Sequence, residues 1–223
     1  MDKNWSYLDS VIGFSFFYLV FSVVDIIGTL MKLDSFMTLM ISAIAGASVL
    51  LLTLYLFVFR NNGLNNKIEF YGQDIKQTIL LGVTAGLILG CLGAISIVME
   101  GGGVFSLLSM EYLIDNLLPT GIINKILFIL FFVVLIPLIE EYYFRGFMLP
   151  AFGKKFGLLI AIIITSIFSS VFLSGSIAFV FLFISSIAFG FLAEKTQGLY
   201  SGLIGHVLMN LIIVFTIVIK GGS

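Results

Sequence analysis

Charge is what this chain has least of. Only 10% of its 223 residues are Asp, Glu, Lys or Arg, against roughly 25% in a soluble domain. No run of Lys or Arg is dense enough to neutralise several phosphates and the formal net charge is −1, which argues against a nucleic-acid partner. Cysteine is nearly absent as well. Cys91 stands alone, so an intrachain disulfide is excluded, and its place in an apolar run reads as a small buried hydrophobe rather than a reactive thiol. No basic stretch precedes the first apolar run: Met1 to Ser10 carry Trp5, Tyr7 and Asp9, so that run reads as a retained span and not a cleaved signal, with the aromatic pair at headgroup level.

What fills the chain instead is apolar. Hydrophobic residues make up 60% and the mean hydropathy is +1.20, the composition of an integral membrane protein. At about 20 apolar residues per span, a chain of this length holds roughly six to eight helices and no separate soluble domain. The expected fold is all-α, a single polytopic transmembrane helical bundle over residues 1–223. Apolar runs place seven spans at about Val11–Met31, Phe36–Phe59, Thr78–Met99, Lys125–Leu149, Gly157–Leu173, Ile177–Leu192 and Leu199–Ile219. Ser174-Gly175-Ser176 reads as a very short turn or as a break within a bent segment, which leaves six or eight spans open. Arg60 to Gln77 is the clearest polar connection, and the stretch from Glu100 to Asn124 contains enough apolar sequence for an interfacial helix.

Seven spans put Lys3, Arg60, Lys67, Lys76, Lys154, Lys155 and Lys195 on one side and Lys32, Lys125 and Lys220 on the other. The positive-inside bias then predicts a multi-pass protein of the cell membrane with its N-terminus cytoplasmic and its C-terminus outside. Gly82, Gly86 and Gly90 recur at four-residue spacing on the third span, a ridge of small residues expected to admit a neighbouring helix closely.

Against this background the few intramembrane charges stand out. Glu140, Glu141 and Arg145 lie inside the apolar fourth span, where each charge costs roughly 2.5–3.5 kcal/mol even on the gentler insertion scales. They imply a protein-lined or wet cavity. Glu141 and Arg145 are four residues apart and share a helix face, where they can pair, whereas Glu140 points about 100° away and lacks a partner on its own helix. A carboxylate so placed is a candidate proton acceptor; the bland alternative is that all three anchor neighbouring helices. His206, the single histidine, shares a face with Asn210 on the last span. Taken alone, that pair fits an interhelical hydrogen bond as well as it fits catalysis. Its depth favours a meeting with Glu140, since both residues fall roughly 10–14 Å below the cytoplasmic interface at 1.5 Å per residue. Asp25, in the first span, reads as a capped or lysine-paired structural group before a substrate-facing one.

Two motifs resemble the CPBP intramembrane proteases, the CAAX-protease and bacteriocin-processing family also called Abi. Ile139-Glu140-Glu141-Tyr142-Tyr143-Phe144-Arg145-Gly146 is similar to the family's E-E-x-x-x-R signature, and His206-Val207-Leu208-Met209-Asn210 to its C-terminal H-x-x-x-N. The resemblance covers a core of about residues 125–219. It implies hydrolysis of peptide bonds in a hydrophobic or prenylated peptide, or in a membrane-protein partner, with Glu140 activating water, a histidine assisting, and His206 and Asn210 stabilising the oxyanion. Glu141 and Arg145 would support them. The family's middle motif, F-x-x-x-H, should fall in the fifth span, yet Ile167 to Ser174 holds no histidine and Phe172 or Leu173 takes its place. Ser169, Ser170 or Ser174 could supply a substitute hydrogen bond. A zinc site takes three protein ligands, and one histidine, a distant cysteine and two glutamates argue against a metal; no other cofactor is expected.

The missing histidine keeps a second class of function open: a family member without proteolysis, acting as a membrane scaffold, a bacteriocin-immunity protein or the partner of a cell-envelope enzyme. A small transporter with Glu140 as proton relay is disfavoured, because no inverted repeat and no matching pair of Gly/Pro-broken spans is visible.

Overall fold

The structure, a computed structural model, describes residues 6–60, 74–98, 121–173 and 179–220. The polar connection at 61–73, most of the stretch proposed to hold an interfacial helix, and the Ser174-Gly175-Ser176 junction lie outside the described residues.

The described residues form helices throughout: α1 (Tyr7–Leu30), α2 (Ser35–Leu54, extended by a π turn Tyr55–Arg60), α3 (Ile75–Val98), the long bent α4 (Ile122–Phe156), α5 (Leu158–Leu173), α6 (Phe179–Thr196) and α7 (Tyr200–Lys220). Six are long and apolar enough to cross a bilayer, and α5 is a shorter apolar helix. It coincides within one residue with the expected fifth span, Gly157–Leu173, and its 16 residues rise only about 24 Å, less than the ~30 Å hydrocarbon core.

Helix ends follow local chemistry. Ser6 and Asp9 form a reciprocal capping box at the start of α1, and Asp34 caps α2 by accepting from the Met37 N–H at 3.0 Å. Gly157 ends α4 with φ +82°, a conformation costly for any residue with a Cβ, and passes the chain directly into α5.

The expected glycine ridge sets the position of the last helix. A Cβ on Gly82 would lie 2.7 Å from the Ser201 carbonyl, one on Gly86 2.7 Å from the Gly205 carbonyl, and one on Gly90 2.6 Å from Ile212. The backbones of α3 and α7 therefore meet directly, and this pair has the most extensive contact among the described helices. Cys91 corrects a sequence-based expectation: it is exposed, because the ridge turns Gly90 toward α7 and its neighbour outward.

α1 and α2 pack antiparallel on the other side of α4, around Phe14, Phe17, Leu50, Tyr143, Phe144 and Phe147. Tyr143 donates from its hydroxyl to the Ser10 carbonyl at 2.6 Å, pinning the charged stretch of α4 to α1. The outward faces carry Leu, Ile and Phe, as a lipid-facing surface requires.

Candidate active site

α4 is not a uniform helix. π turns occupy Leu130–Leu135 and Glu141–Met148, with a short α segment, Ile136–Glu140, between them. The wide turns fall over and just before the charged motif, the setting in which π-bulges commonly occur. They leave Glu140, Glu141 and Arg145 all buried, at 3%, 1% and 4% exposure.

His206 of α7 is buried beside them. Its Nδ1 lies 3.3 Å from Glu141 Oε1, and its Nε2 lies 4.0 Å from Glu140 Oε2. The two motifs, some 65 residues apart in the chain, thus close on one point. Glu141 Oε1 also lies 3.4 Å from Arg145 Nη1, the expected ion pair one turn on. Arg145 Nη2 donates to the Ser186 carbonyl at 3.0 Å and to Ser186 Oγ at 2.8 Å. Phe189, one turn further along α6, stacks on the imidazole with ring centroids 5.0 Å apart. Ser186 and Phe189 escaped sequence reasoning; the one available signal was the polar pair Ser185-Ser186 inside an apolar span.

Where the family's middle motif would supply an imidazole, α5 supplies a hydroxyl: Ser169 Oγ donates to Glu140 Oε2 at 3.3 Å. Ser170, weighed for the same task, donates instead to the Ser166 carbonyl, while Ser174 and the side chains of Phe172 and Leu173 lie outside the described residues. Glu140 Oε1, Glu141 Oε2 and Arg145 Nη1 are buried without a hydrogen-bond partner among the described residues. Between α4, α5, α6 and α7 lies a small cavity lined by Glu140, Arg145, Ser169, Ser185, Phe189 and His206. About 10 Å³ of it is open to the centre of a water-sized sphere, roughly the room one water needs.

Asn210 sits one turn beyond His206, but its side-chain amide donates to the Phe132 carbonyl at 2.9 Å. In the π turn, the Ile136 N–H answers the Phe131 carbonyl, so the Phe132 carbonyl would fall to residue 137. That residue is Pro137, which has no N–H. Asn210 replaces the missing donor and ties α7 to the bend in α4. Asn210→Leu is therefore expected to cost about 1–3 kcal/mol of stability by orphaning a part-buried carbonyl within the bundle. Pro137→Ala restores the backbone donor, and the loss from Asn210→Leu should shrink in that background, as a thermal double-mutant cycle in detergent would register.

Asp25 is half-buried in α1, and no described contact joins it to the cluster. No three His, Cys, Asp or Glu among the described residues are arranged to hold a metal ion.

A helical membrane bundle with a buried Glu–Glu–Arg motif facing a histidine is the class this architecture defines. Residues 122–212, from the start of α4 into α7, match the family model described as Rce1-like, the type II CAAX prenyl endopeptidase Rce1-like family. The match spans both motifs and agrees, at the level of the family, with the CAAX-protease-like resemblance they carry. No curated protein and no solved structure matches the chain.

Proposed function

We propose that this protein is an intramembrane endopeptidase of the CAAX-protease type, hydrolysing a peptide bond in a hydrophobic or prenylated substrate with water activated by Glu140. The observation that carries the reading is the Glu140 carboxylate, buried among apolar helices, with Oε2 held by Ser169 and Oε1 without a hydrogen-bond partner among the described residues, at a water-sized cavity that His206 also lines. A carboxylate at such a place can take a proton from water, and an adjacent imidazole can assist it. The geometry supports His206 at the reacting centre, and the hydrogen bond from the Asn210 amide to Phe132 supports a reading in which Asn210 holds α7 against α4 there. We place the N-terminus in the cytoplasm and the C-terminus outside: Lys155 at the end of α4 meets the Tyr7 hydroxyl at the start of α1 at 2.6 Å, which supports a basic face shared by those two ends.

One observation favours a second reading. Glu140 has a serine where the family pattern has an imidazole, and removal of one donor or acid/base typically lowers a rate by about 10²–10⁴. A member so impaired would act by binding, as a scaffold, an immunity protein or the partner of a cell-envelope enzyme.

Cleavage of a panel of hydrophobic and prenylated peptides by the purified protein in lipid separates the two. The wild type is expected to cleave, and Glu140→Gln, which keeps shape and removes the base, to lose at least about 10²-fold in rate. Folded wild type that cleaves nothing would assign the protein to binding.

A further inference from the structure

With one histidine in the chain, the task of an assisting imidazole can fall only to His206, and the surroundings of its ring bear on whether it can perform it. Glu141 Oε1 stands 3.3 Å from Nδ1 and 3.4 Å from the Arg145 guanidinium. A carboxylate paired with a guanidinium offers a neighbour acceptor lone pairs and no donor. Nδ1 must then carry the proton that points at Glu141. The ring is fixed in other ways too. Phe189 stacks on it, and α7 is brought close by glycines: a Cβ on Gly202 would lie 2.6 Å from Glu141 Oε2, and one on Gly205 2.9 Å from Phe189.

We infer that Glu141 is a positioning residue, which holds His206 as its Nδ1–H form so that Nε2 faces Glu140 and relays protons in the place of the absent middle histidine. The separation from Nε2 to Glu140 Oε2 is 4.0 Å, too long for a direct hydrogen bond, and both groups line the one-water cavity. Glu141 and Arg145 balance each other's charge, so the buried cluster is neutral when Glu140 and Nε2 hold one proton between them. That is the condition of a relay.

The use of this proton rests on the hydrolytic reading. Water gives one proton to Glu140 as its oxygen bonds to the substrate carbonyl carbon and the C=O π pair moves onto oxygen. When that pair re-forms the C=O bond, the C–N bond breaks, and the departing nitrogen takes the proton passed from Glu140 through Nε2. The products are a carboxylic acid and an amine, and Glu140 and His206 return to their starting state. Glu141 never touches substrate; it acts through the tautomer, as the groups behind metal-bound histidines do.

A single histidine makes the test direct, because ¹⁵N-histidine labelling yields one pair of ring nitrogen signals from the full chain in lipid. The wild type is expected to show a protonated Nδ1. A bare Nδ1 with the proton on Nε2 would overturn the inference, and this spectrum decides even if the Glu141 variant fails to fold. In Glu141→Gln the carboxamide can donate as well as accept, so the proton is expected to move partly to Nε2 and kcat to fall about 10–100-fold with KM little changed. Unchanged kcat would overturn the relay. A protonated Nδ1 in a wild type that cleaves no peptide would defeat the proteolytic reading while leaving the positioning role of Glu141 supported.

Discussion

Arg145→Met is expected to destabilise the folded protein by about 3–5 kcal/mol, the usual result of removing one partner from a buried charge pair. Arg145 is 4% exposed and joins three things at once: Glu141 through Nη1, and the Ser186 carbonyl and hydroxyl through Nη2. Methionine nearly fills the space but leaves the Glu141 carboxylate, at 1% exposure, with the His206 imidazole in place of a guanidinium as its described polar neighbour. Lysine would not substitute well, because a single ammonium cannot reproduce a planar fork that reaches two helices. Removing both charges should reverse most of the loss, since a buried ion pair replaced by apolar side chains is often neutral or stabilising. The measurement is thermal unfolding in detergent of Arg145→Met beside Arg145→Met/Glu141→Leu. If the single variant melts with the wild type, Arg145 is not the clamp described here. If the double variant recovers stability but not activity, the charges serve the site and not the bundle.

Gly86→Leu should disturb fold and site together. Even a methyl at this position would sit 2.7 Å from the Gly205 carbonyl and 2.9 Å from Leu208 Cβ, so the clash is with backbone and cannot be relieved by a rotamer. Overpacking of this kind typically costs about 1–3 kcal/mol, and a whole leucine side chain belongs at or above the upper end. The obstructed residue immediately precedes His206. Separation of α3 from α7 would therefore also move the imidazole away from Glu141, visible as a change in the ring nitrogen signals. Gly153, which has nothing within 4 Å of its Cβ direction, is the matched control, and Gly153→Leu should leave both readouts close to wild type. Equal tolerance at the two positions would refute the direct α3–α7 backbone contact.

Different parts of the architecture were legible in the sequence to different degrees. The glycine spacing on α3 identified a packing ridge correctly, since a four-residue repeat of small side chains has one geometric consequence whatever the partner. The ridge could not name that partner. Cys91 was misread as buried, because an apolar helix in lipid carries no hydrophobic contrast between its inward and outward faces. Ser186 and Phe189 went unnoticed because their importance comes only from what they touch.

By itself the sequence determined that the protein lies in a membrane, that it is helical, and that Glu140, Glu141, Arg145 and His206 are too costly in hydrocarbon to lack a shared environment. Those conclusions follow from transfer free energies and from 3.6-residue periodicity, which are properties of residues and of single helices. The tertiary structure decided the rest: that Glu141 meets the histidine, that a serine stands against Glu140, and that Asn210 answers a carbonyl left open by a proline. Each of these is a meeting of atoms from different helices, set by how the helices pack and bend, and one-dimensional spacing carries no record of it.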